Sequence, residues 1–241
     1  MTADEALSRI AGKRIFFGHQ SVGRDILDGI RRIAAEQPGR GIEIVEAAGP
    51  AVFDRPVFAH AKIGKNRDPA SKCAAFFRIL ENGLGDQADI AFFKFCYIDF
   101  SAGTDASQLY RRYRDTLSGL SARFPRTCFL PVTAPLTCPD RRTALGRLAG
   151  LVTGAESWVH ANRERDRFNE LLRSDSVGKE PVYDLALLES TAPDGTRVVS
   201  SRDGVSSPSL FPGYTDDGGH LNSLGKRVAA ENLLLLLAGL S

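Results

Sequence analysis

A serine hydroxyl is a weak nucleophile at neutral pH. It serves acyl transfer when an imidazole takes its proton and a third group orients that imidazole. The sequence holds these residue types in two short segments near its opposite ends. Ser21 stands in Gly18-His19-Gln20-Ser21-Val22-Gly23, after the β-rich run Lys13-Arg14-Ile15-Phe16-Phe17 and before Asp25 to Ala35, which has helical periodicity. That order is strand, tight loop, helix. Ser21 is therefore expected at the carboxyl end of a strand, ahead of a helix start whose amide dipoles suit a developing oxyanion. His220 stands in Asp217-Gly218-Gly219-His220-Leu221-Asn222, directly before a last helical run. An Asp three residues before a His, with small residues between, lets the carboxylate fold back onto one ring nitrogen while the other faces the serine. Each segment alone has a plainer reading, for Ser21 a turn residue or helix N-cap. Together they point to Ser21 as nucleophile, His220 as base and Asp217 as its partner.

Such groups need a scaffold that brings the two ends of the chain together. Gly41 to Glu46 reads as a second short strand, and Gly49 to Pro69, rich in Gly, Pro, His and Asn, as a long loop. Ser71 to Leu84 has apolar residues at helical steps, and it leads into Asp89 to Ile98, a nearly unbroken apolar run suited to a strand covered on both faces. A helix over Ala106 to Phe124, a strand over Cys128 to Val132, a helix around Trp158 to Ser174 and a strand over Pro181 to Ala186 continue the alternation. Asp194 to Gly219 is a second long loop, and Leu221 to Leu240 closes the chain as a helix. The expected fold class is α/β: a three-layer α/β/α, flavodoxin-like, doubly wound parallel sheet, with residues 1–241 as one domain. Ligands of such sheets sit beyond the carboxyl ends of the strands, where Ser21 falls.

Composition narrows the partners. The 241 residues carry a formal charge of +2 from 31 basic and 29 acidic side chains, too balanced for nucleic acid as partner. Met1 to Ala11 has no apolar core of a secretory signal, although a chain trimmed of a leader would read the same. The apolar run Leu233 to Ala238 is too short to span a membrane. Cys73, Cys96, Cys128 and Cys138 form no CxxC pair, and beyond His220 no second His or Asp stands at ligand spacing from Asp216 and Asp217, so no metal is expected. Neither GxGxxG nor a P-loop follows the first strand, which disfavours a nucleotide site. Oligomeric state leaves no readable trace.

Phe16 to Gly23 resembles a variant of the first block of the SGNH, or GDSL-like, esterase family. Asp217 to Leu221, with Asn222 and Gly225, resembles its final block. The resemblance implies a flavodoxin-like sheet and hydrolysis of a small-molecule or carbohydrate ester without metal or organic cofactor, a carbohydrate deacetylase among the options. Two departures stand out. Gly18-His19-Gln20-Ser21 replaces Gly-Asp-Ser, and Cys96-Tyr97-Ile98-Asp99 replaces a middle block ending Gly-x-Asn-Asp, so the oxyanion asparagine is missing from its place. Ile63-Gly64-Lys65-Asn66 offers a replacement, with a backbone N–H from Gly64 and a side-chain amide from Asn66, although both residues also suit a plain turn. His19 is expected either to bind substrate or to fix its loop, and His60 to line the same cleft as Gly64. Asp99 is expected to face the site or to cap a turn; Asp184 and Glu189 are alternative carboxylates to Asp217. The competing function is an SGNH-like binding module that kept its cleft and lost turnover.

Overall fold

The computed structural model describes residues 1–36, 42–139 and 158–240, so Gly41, the first residue of the expected second strand, lies outside the described residues. Helix α1 (Ala3–Ile10) leads into strand β1 (Arg14–His19), whose Ile15, Phe16 and Phe17 are buried. Phe17 joins one core with Val22, Ile26 and Leu233, while Phe16 joins a second with Phe76, Phe93 and Tyr113. A strand buried on both faces belongs at the centre of a sheet. Helix α2 (Ser21–Ala35) follows at once, then β2 (Ile44–Glu46), β3 (Val57–Lys62), α3 (Pro69–Ile79), β4 (Ile90–Phe93), α4 (Ala106–Arg123) and β5 (Cys128–Phe129). Beyond these lie α5 (Trp158–Ser176), α6 (Leu185–Glu189), the hairpin β6 (Val199–Arg202) and β7 (Val205–Pro208), and α7 (Ser223–Gly239).

The main sheet runs β2-β3-β1-β4-β5 with every pairing parallel. Helices α1, α2, α6 and α7 bury their apolar residues on one face, and α3, α4 and α5 on the other. This is the three-layer α/β/α arrangement expected from the sequence. No helix among the described residues is long and apolar enough to cross a membrane.

The expected loop Gly18 to Gly23 shrinks to Gln20, because β1 runs to His19 and α2 begins at Ser21, and the expected strand Cys128 to Val132 pairs only at Cys128–Phe129 and Val132. Four further segments differ more from the sequence reading. Gly49 to Pro69 is not a loop: after a tight turn over Pro50–Asp54 it supplies β3, which lies between β2 and β1. Its Val57, Phe58, Ala59 and His60 are all buried, and the Pro and Gly around so short a strand masked it. The apolar run from Asp89 stops pairing at Phe93, because residues 96–99 close a turn in which the Asp99 carboxylate accepts the Cys96 N–H at 2.7 Å. Of Pro181 to Ala186, only Tyr183 pairs, with Val132; Asp184 then caps α6 by accepting the Leu187 N–H. Asp194 to Gly219 holds the β6–β7 hairpin, whose turn residues Asp203 and Gly204 both have positive φ.

The last helix is held against the second. A Cβ on Gly29 of α2 would stand 2.3 Å from the Lys226 carbonyl oxygen of α7, so the two backbones meet where only glycine fits. The Lys226 ammonium reaches back to Asp25 at 3.0 Å and Asp28 at 3.1 Å. Gly29→Ala is expected to destabilise the fold by about 1–3 kcal/mol, the usual range for overpacking, as read by denaturant unfolding.

Candidate active site

Asp217 organises the segment that carries His220. Its Oδ1 accepts the N–H groups of Gly219 and His220, each at 2.8 Å, and its Oδ2 lies 2.6 Å from His220 Nδ1. Gly218, at φ +88°, makes the turn, and its N–H donates to the Thr215 hydroxyl. A carboxylate only accepts, so Nδ1 carries a proton, and in the neutral ring Nε2 is then the nitrogen with the lone pair. Partial burial raises the Asp217 pKa, but the amides and ring of residues 219–220 outweigh it and bring the carboxyl to about 2. The ring of Tyr97 stands edge-on to His220 with centroids 5.7 Å apart, and Gly219 packs so closely on it that a Cβ would come within 2.8 Å. Buried Arg165 grips the Tyr97 carbonyl with two donors, at 3.0 and 2.6 Å.

Ser21 is the first residue of α2, and Gln20, not Ser21, is its N-cap residue. The Ser21 hydroxyl lies 4.0 Å from Cys96 Sγ; among the described residues no hydrogen bond joins it to His220. The two segments nevertheless meet at the same helix turn. Asp25, one turn beyond Ser21, accepts the N–H of Leu221, the residue after His220, at 3.2 Å. Asn222 then caps α7 by accepting the Leu224 and Gly225 N–H groups. From the loop after β4, Cys96 meets the Ser21 hydroxyl and Tyr97 meets the His220 ring.

The loop after β3 is bound to the turn before Ser21. The Gln20 side-chain amide donates to the carbonyls of Ile63 at 2.8 Å and Gly64 at 3.0 Å, which ties Gly64 to the residue before Ser21. Gly64 has φ +56° and would place a Cβ 2.5 Å from the Lys72 backbone nitrogen, so the turn requires glycine. Asn66 turns its Oδ1 to the Lys72 ammonium at 3.2 Å. Lys72 and Asp99 are fully buried and paired, and Asp99 also accepts the N–H groups of Arg67 and Cys96. Asp99 thus spends its oxygens joining two loops and Lys72, which corrects the expectation that it faces the site.

His19 is likewise interior: one ring nitrogen meets the Gln20 carbonyl and the other meets His60. Asp184 is engaged with Arg173 at 2.7 and 2.9 Å, and Glu189 is buried, its Oε2 accepting the Leu136 N–H at 2.6 Å. Neither replaces Asp217 beside His220. Lys94, also buried, donates to the Phe95 carbonyl. Sequence reading passed over Asp25, Cys96, Lys72, Lys94 and Arg165. Of these, Asp25 had a signal, since its four-residue spacing from Ser21 puts both on one helix face. Among the described residues no group of three or more His, Cys, Asp or Glu side chains is placed to hold a metal ion.

No protein-family model matches the sequence, and no curated protein matches it. Solved structures match it in fold. A protein of Bacteroides fragilis, provisionally named an acylhydrolase, aligns over 93% of this chain and 86% of its own, with TM-score 0.58 and 13% identity. A GDSL-like lipase of Bacteroides thetaiotaomicron aligns over 94% and 88%, with TM-score 0.55 and 9% identity. A protein of Streptococcus pneumonia, provisionally named a platelet activating factor, aligns over 95% and 85%, with TM-score 0.56 and 12% identity. The chain therefore shares the fold of GDSL-like proteins, as the resemblance of its end motifs implied.

Two buried groups give stability an opposed pH dependence. Burial lowers the His19 pKa to about 3, so its contribution is full above about pH 6.5 and is lost as pH falls toward 3. Burial raises Glu189 to about 8 against the Leu136 amide and the charges of Lys94 and Arg165, so its contribution is full below about pH 4.5 and is lost as pH rises toward 8. Denaturant unfolding of Glu189→Gln against the parent should show the parent losing stability from pH 6.5 to 8 more steeply, by at most about 1.4 kcal/mol per pH unit.

Proposed function

We propose that this chain is a cofactor-free serine hydrolase acting on carboxylic esters, with Ser21, His220 and Asp217 as its triad. The observation that carries the reading is the Asp217–His220 pair: it leaves Nε2 as a base, on a segment pinned to α2 one turn from Ser21. In this reading the Ser21 hydroxyl gives its proton to His220 Nε2 as its oxygen attacks the ester carbonyl. The tetrahedral oxyanion is met by the Ser21 N–H at the start of α2 and by the Gly64 N–H, with Asn66 at the rim. Collapse breaks the ester C–O bond, and the alcohol leaves with the proton from His220. Water then repeats the sequence on the acyl-enzyme and releases the acid. The longer resting contact of Ser21 with Cys96 is compatible with a hydroxyl that turns to His220 when substrate arrives, since catalytic hydrogen bonds are often loose without ligand. A small acyl group on an alcohol or sugar is the substrate class, with carbohydrate deacetylation within it, and residues 1–241 act as one domain.

Ile98 in the place of the oxyanion asparagine favours a second reading, a binding module without turnover. A fluorophosphonate probe and a short acyl ester such as p-nitrophenyl acetate separate the two. Labelling at Ser21 is expected, with hydrolysis abolished in Ser21→Ala and lowered up to about 10⁴-fold in kcat by Asp217→Asn, which leaves His220 in the wrong tautomer. Folded protein that neither labels nor turns over would leave the binding module standing.

A further inference from the structure

Beneath the Ser21 turn lies a chain of three polar side chains that the acyl-transfer steps do not use. His19 Nδ1 is 2.7 Å from the Gln20 carbonyl oxygen, His19 Nε2 is 3.0 Å from His60 Nδ1, and His60 Nε2 is 3.1 Å from the Arg31 guanidinium. A carbonyl only accepts and a guanidinium only donates. With both ends fixed, every bond has one direction: Arg31 donates to His60 Nε2, His60 Nδ1–H donates to His19 Nε2, and His19 Nδ1–H donates to the Gln20 carbonyl. Both rings are then neutral Nδ1–H tautomers, and a further proton on either would set two donors against each other. Burial lowers both histidine pKa values, in agreement with neutral rings. The charged groups that face them are Lys94 after β4, Arg24 and Arg31 on α2, and Glu46 on β2.

The acceptor at the end of this chain belongs to the peptide bond between Gln20 and Ser21. That peptide is trans and planar, so its C=O and N–H point in opposite directions. Fixing the Gln20 oxygen therefore aims the Ser21 N–H. The same carbonyl also accepts the Arg24 N–H at 3.2 Å, while the Gln20 side chain holds the Ile63 and Gly64 carbonyls, so the peptide is held from several sides. Gly23 makes room for the imidazole: a Cβ there would stand 2.3 Å from His19 Cβ.

We propose that Arg31, His60 and His19 are positioning residues, a directional relay that orients the Gln20–Ser21 peptide so that the Ser21 amide donates to the oxyanion. The proposal rests on Ser21 being the nucleophile. His19→Leu removes the donor to Gln20, whereas His19→Asn keeps an amide nitrogen near the position of Nδ1. With p-nitrophenyl acetate as substrate, His19→Leu should lower kcat about 100-fold with KM little changed, because the oxyanion contact forms only in the transition state. His19→Asn should recover about tenfold or more of that loss. Nitrogen-15 NMR of the parent protein, which needs no variant to fold, should show both imidazoles as neutral Nδ1–H tautomers at about pH 6. An Nε2–H tautomer or a protonated ring there, or a folded His19→Leu with parental kcat, overturns the relay while leaving Ser21 as nucleophile. Absence of any Ser21-dependent turnover in the parent overturns both.

Discussion

The close approach of α2 and α7 is the contact on which the candidate site depends. Asp25 serves both partners at once, pairing through one oxygen with Lys226 and accepting the Leu221 N–H through the other. Asp25 and Leu221 stand 196 positions apart, so this bond closes nearly the whole chain into one loop. Closing so long a loop costs entropy, and a single hydrogen bond does not offset it. The offset comes from apolar burial. Ile26, Ile30, Leu233, Leu234 and Leu237 lie in one core, and the missing side chain of Gly29 lets the backbones meet at Lys226. Polar contacts then set the register of an approach that the hydrophobic effect drives.

A second feature is the number of ionisable side chains that the fold buries. Lys72 and Asp99 form a buried pair, while Lys94, Arg165 and Glu189 are buried as well. Burying charge is costly, and a buried pair often adds little net stability. What it does here is geometric: Asp99 binds Lys72, Arg67 and Cys96 together, and Arg165 binds the Tyr97 carbonyl. The loops after β3 and β4 are thereby fixed to each other and to α5. Glu189 Oε1 is the exception, a buried oxygen that meets no hydrogen-bond donor among the described residues. Its raised pKa follows from that setting, since the neutral carboxyl is the form that burial favours.

Legibility in the sequence followed the range of the interaction. Helix α4 was expected within a residue or so of its ends, because Leu109, Tyr113, Leu117 and Leu120 repeat at helical spacing and Asp105 caps the first turn. Strand β3 was lost, since Val57 to Lys62 has too few residues to outweigh the Pro, Gly and His around it, and its place between β2 and β1 is decided by pairing partners far along the chain. Tyr183 pairs with Val132 and the chain then turns helical at once, with Asp184 capping the turn by accepting the Leu187 N–H. The fold class survived these errors, as the alternation of apolar runs carries it even when one strand is missed.

The site divides along the same line. The sequence by itself determined that Asp217 can fold onto His220, because three residues with two glycines among them bring the carboxylate within reach of the ring and of two amides. It also placed Ser21 between a strand and a helix, whereas the structure makes Ser21 the first residue of that helix. Only the tertiary structure decided that His19 faces inward toward His60 and Arg31, that Asp99 joins loops, and that Leu221 is bound beside the turn that carries Ser21. Spacing fixes what neighbours along the chain can reach, whereas sheet register and helix docking fix which distant residues become neighbours.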